Sequence, residues 1–168
     1  MRPRCWRAAL LFAAYIGRLS AAQPPLEYQV KAAFLLNFAR FVEWPPSALA
    51  NDAPFNVCIL GGDPFGPAID QIVEGESVNG HKITVTRIRE VQQASCQVLY
   101  TAGSPAGNSA APGVLTVGEG DEFIRRGGII AFVIDSRRVR FDINLKAAAS
   151  AGLKLSSKLL AVARSIER

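Results

Sequence analysis

Few residues in this chain have types and spacing suited to chemistry. They are three cysteines (Cys5, Cys58, Cys96), one histidine (His81), one glycine-rich turn and two arginine clusters. Cys58 sits in the apolar run FNVCIL and Cys96 opens CQVLYT, which read as the first and third strands of a sheet. Such strands are commonly neighbours in doubly wound folds, and neighbouring strands bring α-carbons within bridging range. A disulfide is expected; the alternative is two buried free thiols. A redox switch would further require a strained or accessible bond. His81 has no ligand motif beside it and reads as a strand-edge surface residue, so neither a metal site nor a Ser-His-Asp triad is expected. The turn GGDPFG (61–66) lacks the Lys-Ser/Thr of a phosphate loop, and Asp63 would repel a phosphate. Asp63 reads instead as a helix N-cap with Pro64 as the first helical residue. The turn does leave a strand at its carboxyl end, where α/β folds bind small ligands. Gly62, Asp63 and Phe65 are therefore the candidate ligand crevice.

Arg125-Arg126 and Arg137-Arg138-Val139-Arg140 read as solvated basic faces, or as a site for an anionic partner. No paired carboxylates, C-x-x-C or G-x-S-x-G occur. That pattern points to binding rather than catalysis, with no cofactor and no metal.

The opening residues bear on the electrostatics. Arg2, Arg4 and Arg7 precede an apolar run from Ala8 to Ile16, and Ser20-Ala21-Ala22 follow. This is the pattern of a secretory leader with a small-residue cleavage site, so residues 1–22 are expected to be removed on export. The run is far shorter than the roughly 20 residues of a membrane span. The formal charge of +5 falls to +1 without this segment, which carries four arginines and no acid. The basic character is thus no argument for nucleic-acid binding. Residues 23–168 suit a single domain.

Several elements must position these residues. A mostly apolar helix is expected over 27–44, with Val30, Phe34, Phe38 and Phe41 at helical spacing and Pro45-Pro46 as its stop. Strands follow at 55–60, 81–88, 96–101, 114–117, 128–134 and 139–143, with 75–80 as loop. Helices are expected over about 65–73, 119–126, 147–151 and 156–166. The alternation predicts an α/β fold: a mostly parallel sheet of about six strands, helices on both faces and an antiparallel edge hairpin.

Five strings, taken together, resemble the YfiR-like family. They are YQVKAAFLLNFARFVEWP (28–45), CILGGDPFG (58–66), CQVLYTA (96–102), VLTVGEGDEFIRRGGIIAF (114–132) and VRFDINLKAAASAGLKLSSKLLAVA (139–163). The resemblance implies a periplasmic α/β regulator without enzymatic activity. It implies a membrane-bound diguanylate cyclase as partner, bound through its periplasmic sensor domain and so controlling cyclic-di-GMP. It also implies sequestration by an outer-membrane lipoprotein, a tendency to form homodimers and a redox link through cysteines. Cys58 and Cys96 fall where the family's cysteine pair would lie, and no second pair follows them. The expected contact surface is the carboxyl-terminal hairpin and helix: Arg140, Phe141, Asn144, Leu153, Leu155 and Leu159. For Phe141, Leu153 and Leu159 the alternative is ordinary core. The competing function is a periplasmic small-ligand binding protein that feeds a sensor kinase or transporter.

Overall fold

The computed structural model describes residues 24–50, 52–91, 95–103 and 111–168. The expected leader lies outside the described residues. Helix α1 (Leu26–Phe41) begins directly after Pro24-Pro25. It ends three residues before the expected stop, because Val42 turns extended and β1 (Val42–Glu43) pairs antiparallel with β9 (Lys154–Leu155). A 3-10 turn follows at Pro46–Ala48. The face of α1 that is buried is not the expected stripe. Ala32, Leu35, Leu36, Phe38 and Ala39 are buried together with Lys31, whereas Val30 and Phe41 remain 37% and 36% exposed. A helix apolar on most of its circumference does not specify its contact face by periodicity alone.

The main sheet follows from β2 (Phe55–Leu60), β4 (His81–Ile88), β5 (Val98–Thr101), β6 (Leu115–Glu119), β7 (Ile130–Asp135) and β8 (Arg138–Asn144). These are the six expected strands. Two short ones extend the sheet to eight: β3 (Ser77–Val78) and β10 (Ser165–Glu167), in the order β10-β8-β7-β6-β5-β2-β4-β3. The stretch 75–80 is therefore not simply loop. Asn79 and Gly80 both have positive φ (51° and 85°) and join β3 to β4 as a two-residue hairpin, the left-handed pair that a type I′ turn needs. The final helix is also shorter than expected. Helix α5 (Ser157–Val162) stops where Ala163 becomes extended, and Arg164 N–H then donates to Phe141 C=O at 2.8 Å. Residues 165–167 run parallel to β8. The antiparallel β7–β8 hairpin is accordingly one strand in from the edge, and the edge hairpin is β3–β4.

Phe55, Val57, Ile59, Val98, Tyr100, Leu115, Val117, Ile130 and Phe132 form one sheet face, whose core is completed by α1, α2 (Pro67–Val73), α4 (Leu145–Ser150) and α5. The other face carries less. Cys58, Leu60, Ile88, Cys96 and Leu99 form one small cluster, and α3 (Asp121–Arg125) packs Phe123 and Ile124 on Ala131. Phe123 reaches that position because Gly118 and Gly128 leave room for its ring. A Cβ at Gly118 would lie 2.4 Å from the ring, and one at Gly128 2.1 Å. Gly128→Ala is expected to lower stability by about 1–3 kcal/mol through overpacking. A urea titration checks this; an unchanged midpoint would show that the ring can move aside.

Candidate functional site

The connections from β2 through α2 to β4, and from β4 back to β5 on the other side of β2, reverse the winding of the sheet between β2 and β5. Loops leaving the carboxyl ends of two such strands diverge, and the crevice between them is where open α/β sheets bind ligands. Here that crevice is a hollow of 410 Å³, walled by Gly62 and Asp63 after β2, by Ala102 and Gly103 after β5, and by Tyr28 and Glu119.

The first wall is held by Asp63. Its Oδ1 accepts from the N–H groups of Phe65 (2.8 Å) and Gly66 (3.1 Å). Asp63 thus closes a side-chain turn rather than capping α2, whose first residue is Pro67. Arg87 on β4 locks the turn to the helix. Its Nε donates to Asp63 Oδ2 (2.9 Å), its guanidinium is bidentate to Asp70 on α2 (2.9 and 2.6 Å), and Nη2 donates to Gly66 C=O (3.1 Å). The hydrogen bonds from Arg87 hold the Asp70 carboxyl below its ordinary range, against a smaller opposing effect of burial. That contribution to stability is present above the ordinary carboxylate pKa of about 3.9 and is lost as pH falls through the lowered value. Arg87→Met is therefore expected to lose stability near neutral pH but little once Asp70 is protonated. The check is the difference in melting temperature between the two proteins, which narrows on acidification. A gap independent of pH would remove the ion pair as its cause.

The second wall is built on a buried lysine. Lys31 is 2% exposed, yet its Nζ contacts Glu27 Oε1 at 2.5 Å and Glu119 Oε1 at 2.9 Å, and stands 4.5 Å from the centre of the Tyr28 ring. Tyr100 donates its hydroxyl to the same Glu119 oxygen at 2.5 Å. Burial alone would pull the Lys31 pKa down, but the hydrogen bonds to Glu27 and Glu119 outweigh it and raise the pKa. Burial, followed by the hydrogen bond to Glu119, pushes the Tyr100 hydroxyl far up, so it remains a donor. The floor is aromatic: Phe65 packs edge-on against Tyr100 (4.7 Å) and Tyr28 (5.8 Å).

The crevice contains Gly62 and Asp63 of the three expected residues. Phe65 is fully buried beneath it and supports it rather than lining it. Tyr28, Tyr100 and Glu119 were not expected there. Glu119 ends β6, and its place at a strand's carboxyl end was the only available signal. A 560 Å³ hollow at the opposite end of the sheet holds His81, but His81 Nδ1 donates to Ala53 C=O at 2.7 Å and no cluster of metal-ligating residues occurs among the described residues.

Cys58 and Cys96 are joined, with α-carbons 5.7 Å apart. Strand adjacency accounts for only part of this. Cys58 is registered with Leu99, and β5 begins at Val98 rather than Cys96. The chain bends at Gln97, which brings Cys96 back to Cys58. Gln97 is fixed by accepting from Asn56 N–H (2.7 Å) and donating to Ala48 C=O (2.7 Å).

The six expected partner residues do not share a surface. Phe141, Leu153 and Leu159 are core residues, 1%, 3% and 3% exposed. Phe141 packs edge-on to Phe38 at 4.9 Å. Asn144 caps α4 by accepting from Ala147 N–H at 2.8 Å. Leu155 is half-buried in β9 opposite Val42, and Arg140 is half-buried on β8. Phe141, Leu153 and Leu159 went to the core and Asn144 to a helix cap, which leaves Arg140 and Leu155 of the six within reach of a partner.

The fold and the crevice together define a doubly wound α/β domain whose switch point is open to solvent. Over residues 28–164 the chain matches the model of the YfiR/HmsC-like family, DUF4154, and it belongs to that family. The family is regulatory rather than catalytic. No curated protein matches the chain. Among solved structures it is similar to a conserved domain protein from Vibrio cholerae O1 biovar El Tor strain N16961, at 15% identity and a TM-score of 0.50, covering 86% of this chain and 60% of that one. It is also similar to an ABC domain in complex with L-Trp from Streptococcus pneumonia, at 11% identity and a TM-score of 0.50, covering 80% of this chain and 60% of the other. The matches thus span 60% of either structure's length, and at these identities they speak to the fold alone.

Proposed function

We propose that this chain is a periplasmic regulator that binds the periplasmic sensor part of a membrane signalling enzyme, a diguanylate cyclase, and holds it inactive. Membership of the YfiR/HmsC-like family over residues 28–164 carries this reading. The export pattern of residues 1–22 supports it, as does the Cys58–Cys96 bond, since disulfides persist in oxidising compartments. No helix among the described residues is long and apolar enough to cross a membrane. An outer-membrane lipoprotein that sequesters the chain, and a homodimer, belong to the same proposal. Deleting the gene is expected to raise cellular cyclic-di-GMP, and restoring it to reverse the rise. Unchanged levels under both oxidising and reducing growth would overturn the cyclase assignment.

The switch-point crevice favours a second reading, in which a small ligand binds between Asp63 and Glu119. Ligand binding to the folded state raises its melting temperature. A panel of amino acids, nucleotides and metabolites that leaves the melting temperature unmoved would count against it.

A further inference from the structure

The β7–β8 hairpin runs beyond both of its neighbours. Strand β7 pairs with β6 only over Ile130–Phe132, and β8 pairs with β10 only over Asp142–Asn144. Residues 133–140 therefore form a two-stranded arm projecting past the sheet. The register places Phe132 opposite Phe141 and Ile134 opposite Val139. Phe132 and Phe141 both pack under Phe34 of α1, at 6.1 and 5.5 Å. Side chains alternate along a strand, so Ile134 and Val139 continue that same face outward. On α1, residues 34, 30 and 26 share one face. The apolar seam that begins at Phe34 thus opens outward along Val30 and Leu26 on the helix, and along Ile134 and Val139 on the arm. Its exposure rises in that direction: Val30 is 37% exposed, Ile134 53% and Leu26 73%. These are three of the five large apolar side chains most open to water among the described residues.

The arm is also the most basic part of the sheet. Arg137, Arg138 and Arg140 lie within four residues, and none forms an ion pair among the described residues. Asp135, opposite Arg138, is the one acid on the arm. By contrast, Arg125 and Arg126 are both held by Glu122, and Arg164 by Asp142 and Asp121. Ser136 and Arg137 form the turn with positive φ (50° and 61°). A two-residue hairpin needs that conformation at both positions, which holds the arm as one rigid ribbon.

We infer that the seam between α1 and the β7–β8 arm docks a protein partner, through an extracytoplasmic segment that combines apolar anchors with carboxylates. Apolar anchors fill the seam along Val30 and Ile134, and the same segment wraps the arm, so that its acids meet Arg137 at the turn and Arg138 and Arg140 on the face opposite Ile134 and Val139. The inference rests on the proposed regulatory role and gives it a surface different from the one read in the sequence. Only Arg140 is shared between the two.

The test places a photo-crosslinking phenylalanine analogue at Ile134 in the full chain expressed in its own cells, with exposed Lys158 on α5 as the control position. The expected result is a discrete crosslink to another protein at 134 and none at 158, mapped by mass spectrometry to a net-acidic segment outside the cytoplasm. Reversing the three arginines (R137E, R138E and R140E together) is expected to cut the crosslink about tenfold or more, with the melting temperature unchanged. If the triple variant melts early, unlabelled Ile134→Asp chain added as competitor is expected to leave the 134 crosslink intact where unlabelled wild-type chain suppresses it, and equal competition by both would overturn the inference. A crosslink only to a second copy, a crosslink only to lipid, no crosslink, or one indifferent to charge reversal would overturn the inference. Cyclic-di-GMP measured in the deletion strain decides the regulatory reading separately, so the two can fail independently.

Discussion

Replacing Cys58 and Cys96 together by alanine is expected to cost about 4 kcal/mol of stability, the loop-closure value for a bridge spanning 38 residues. For a domain of this size that is a fall of roughly 10 °C in melting temperature. The two sulfurs sit among Leu60, Ile88 and Leu99, on the sheet face with fewer helices. Little other packing replaces the bond there. Cys58 is fully buried and Cys96 8% exposed, so a reductant meets the bond only after local opening. Two measurements test this. Wild-type protein reduced after unfolding should refold to the stability of the double variant, and reduction of the folded protein should be slow without denaturant. Equal stability in the oxidised and reduced forms would show that the bond constrains nothing.

Glu119→Ala is expected to cost about 3 kcal/mol, the low end of what is lost when one partner of a buried ion pair is removed. The low end applies because Glu119 keeps 34% of its side chain exposed and Lys31 still has Glu27. The loss leaves Lys31 buried with half its countercharge and deprives the Tyr100 hydroxyl of its acceptor. Lys31→Met is expected to be much milder, since an apolar side chain suits the site and both carboxylates can face water. The pair of variants should therefore be non-additive, with Lys31→Met/Glu119→Ala more stable than Glu119→Ala alone. The Lys31 pKa is raised on folding, so its contribution is present below the ordinary lysine value and is lost as pH rises through the higher one. An additive double variant would mean that Lys31 and Glu119 act independently, and would return Lys31 to the status of an ordinary helix residue.

The six long strands were legible because each is an apolar or alternating run bounded by turn residues. The four short ones, β1, β3, β9 and β10, were not. Residues 163–167 continue a plausible helical pattern, and only the open edge of β8, which takes the Arg164 N–H, makes them extended. The Asn79-Gly80 hairpin was read as loop, because β3, the strand it joins to β4, has two residues and is too short to show a period. The crevice could be placed from the rule about strand ends and Gly62-Asp63. Its other wall could not, because Lys31 and Glu119 are remote in sequence and a lone lysine on an apolar helix gives no sign that it will be buried. For three of the expected partner residues the alternative reading, ordinary core, describes where the structure places them. Phe141, Leu153 and Leu159 have the spacing of core residues and were used as core.

The Cys58–Cys96 bond also divides the molecule mechanically. Everything from the end of β2 through α2, β3 and β4 lies inside the covalent loop, whereas α3, β6 to β8 and the carboxyl-terminal segment lie outside it. A pull applied at the two chain ends passes through the sulfurs and never stretches residues 58–96, which hides roughly 130 Å of extended chain. Under load, the half that carries the β7–β8 arm is free to come apart while the crevice-forming loop after β2 stays covalently gathered. Tension transmitted through a bound partner would therefore be carried by α1, the first half of β2 and the strands from β5 onward, and not by the covalent loop.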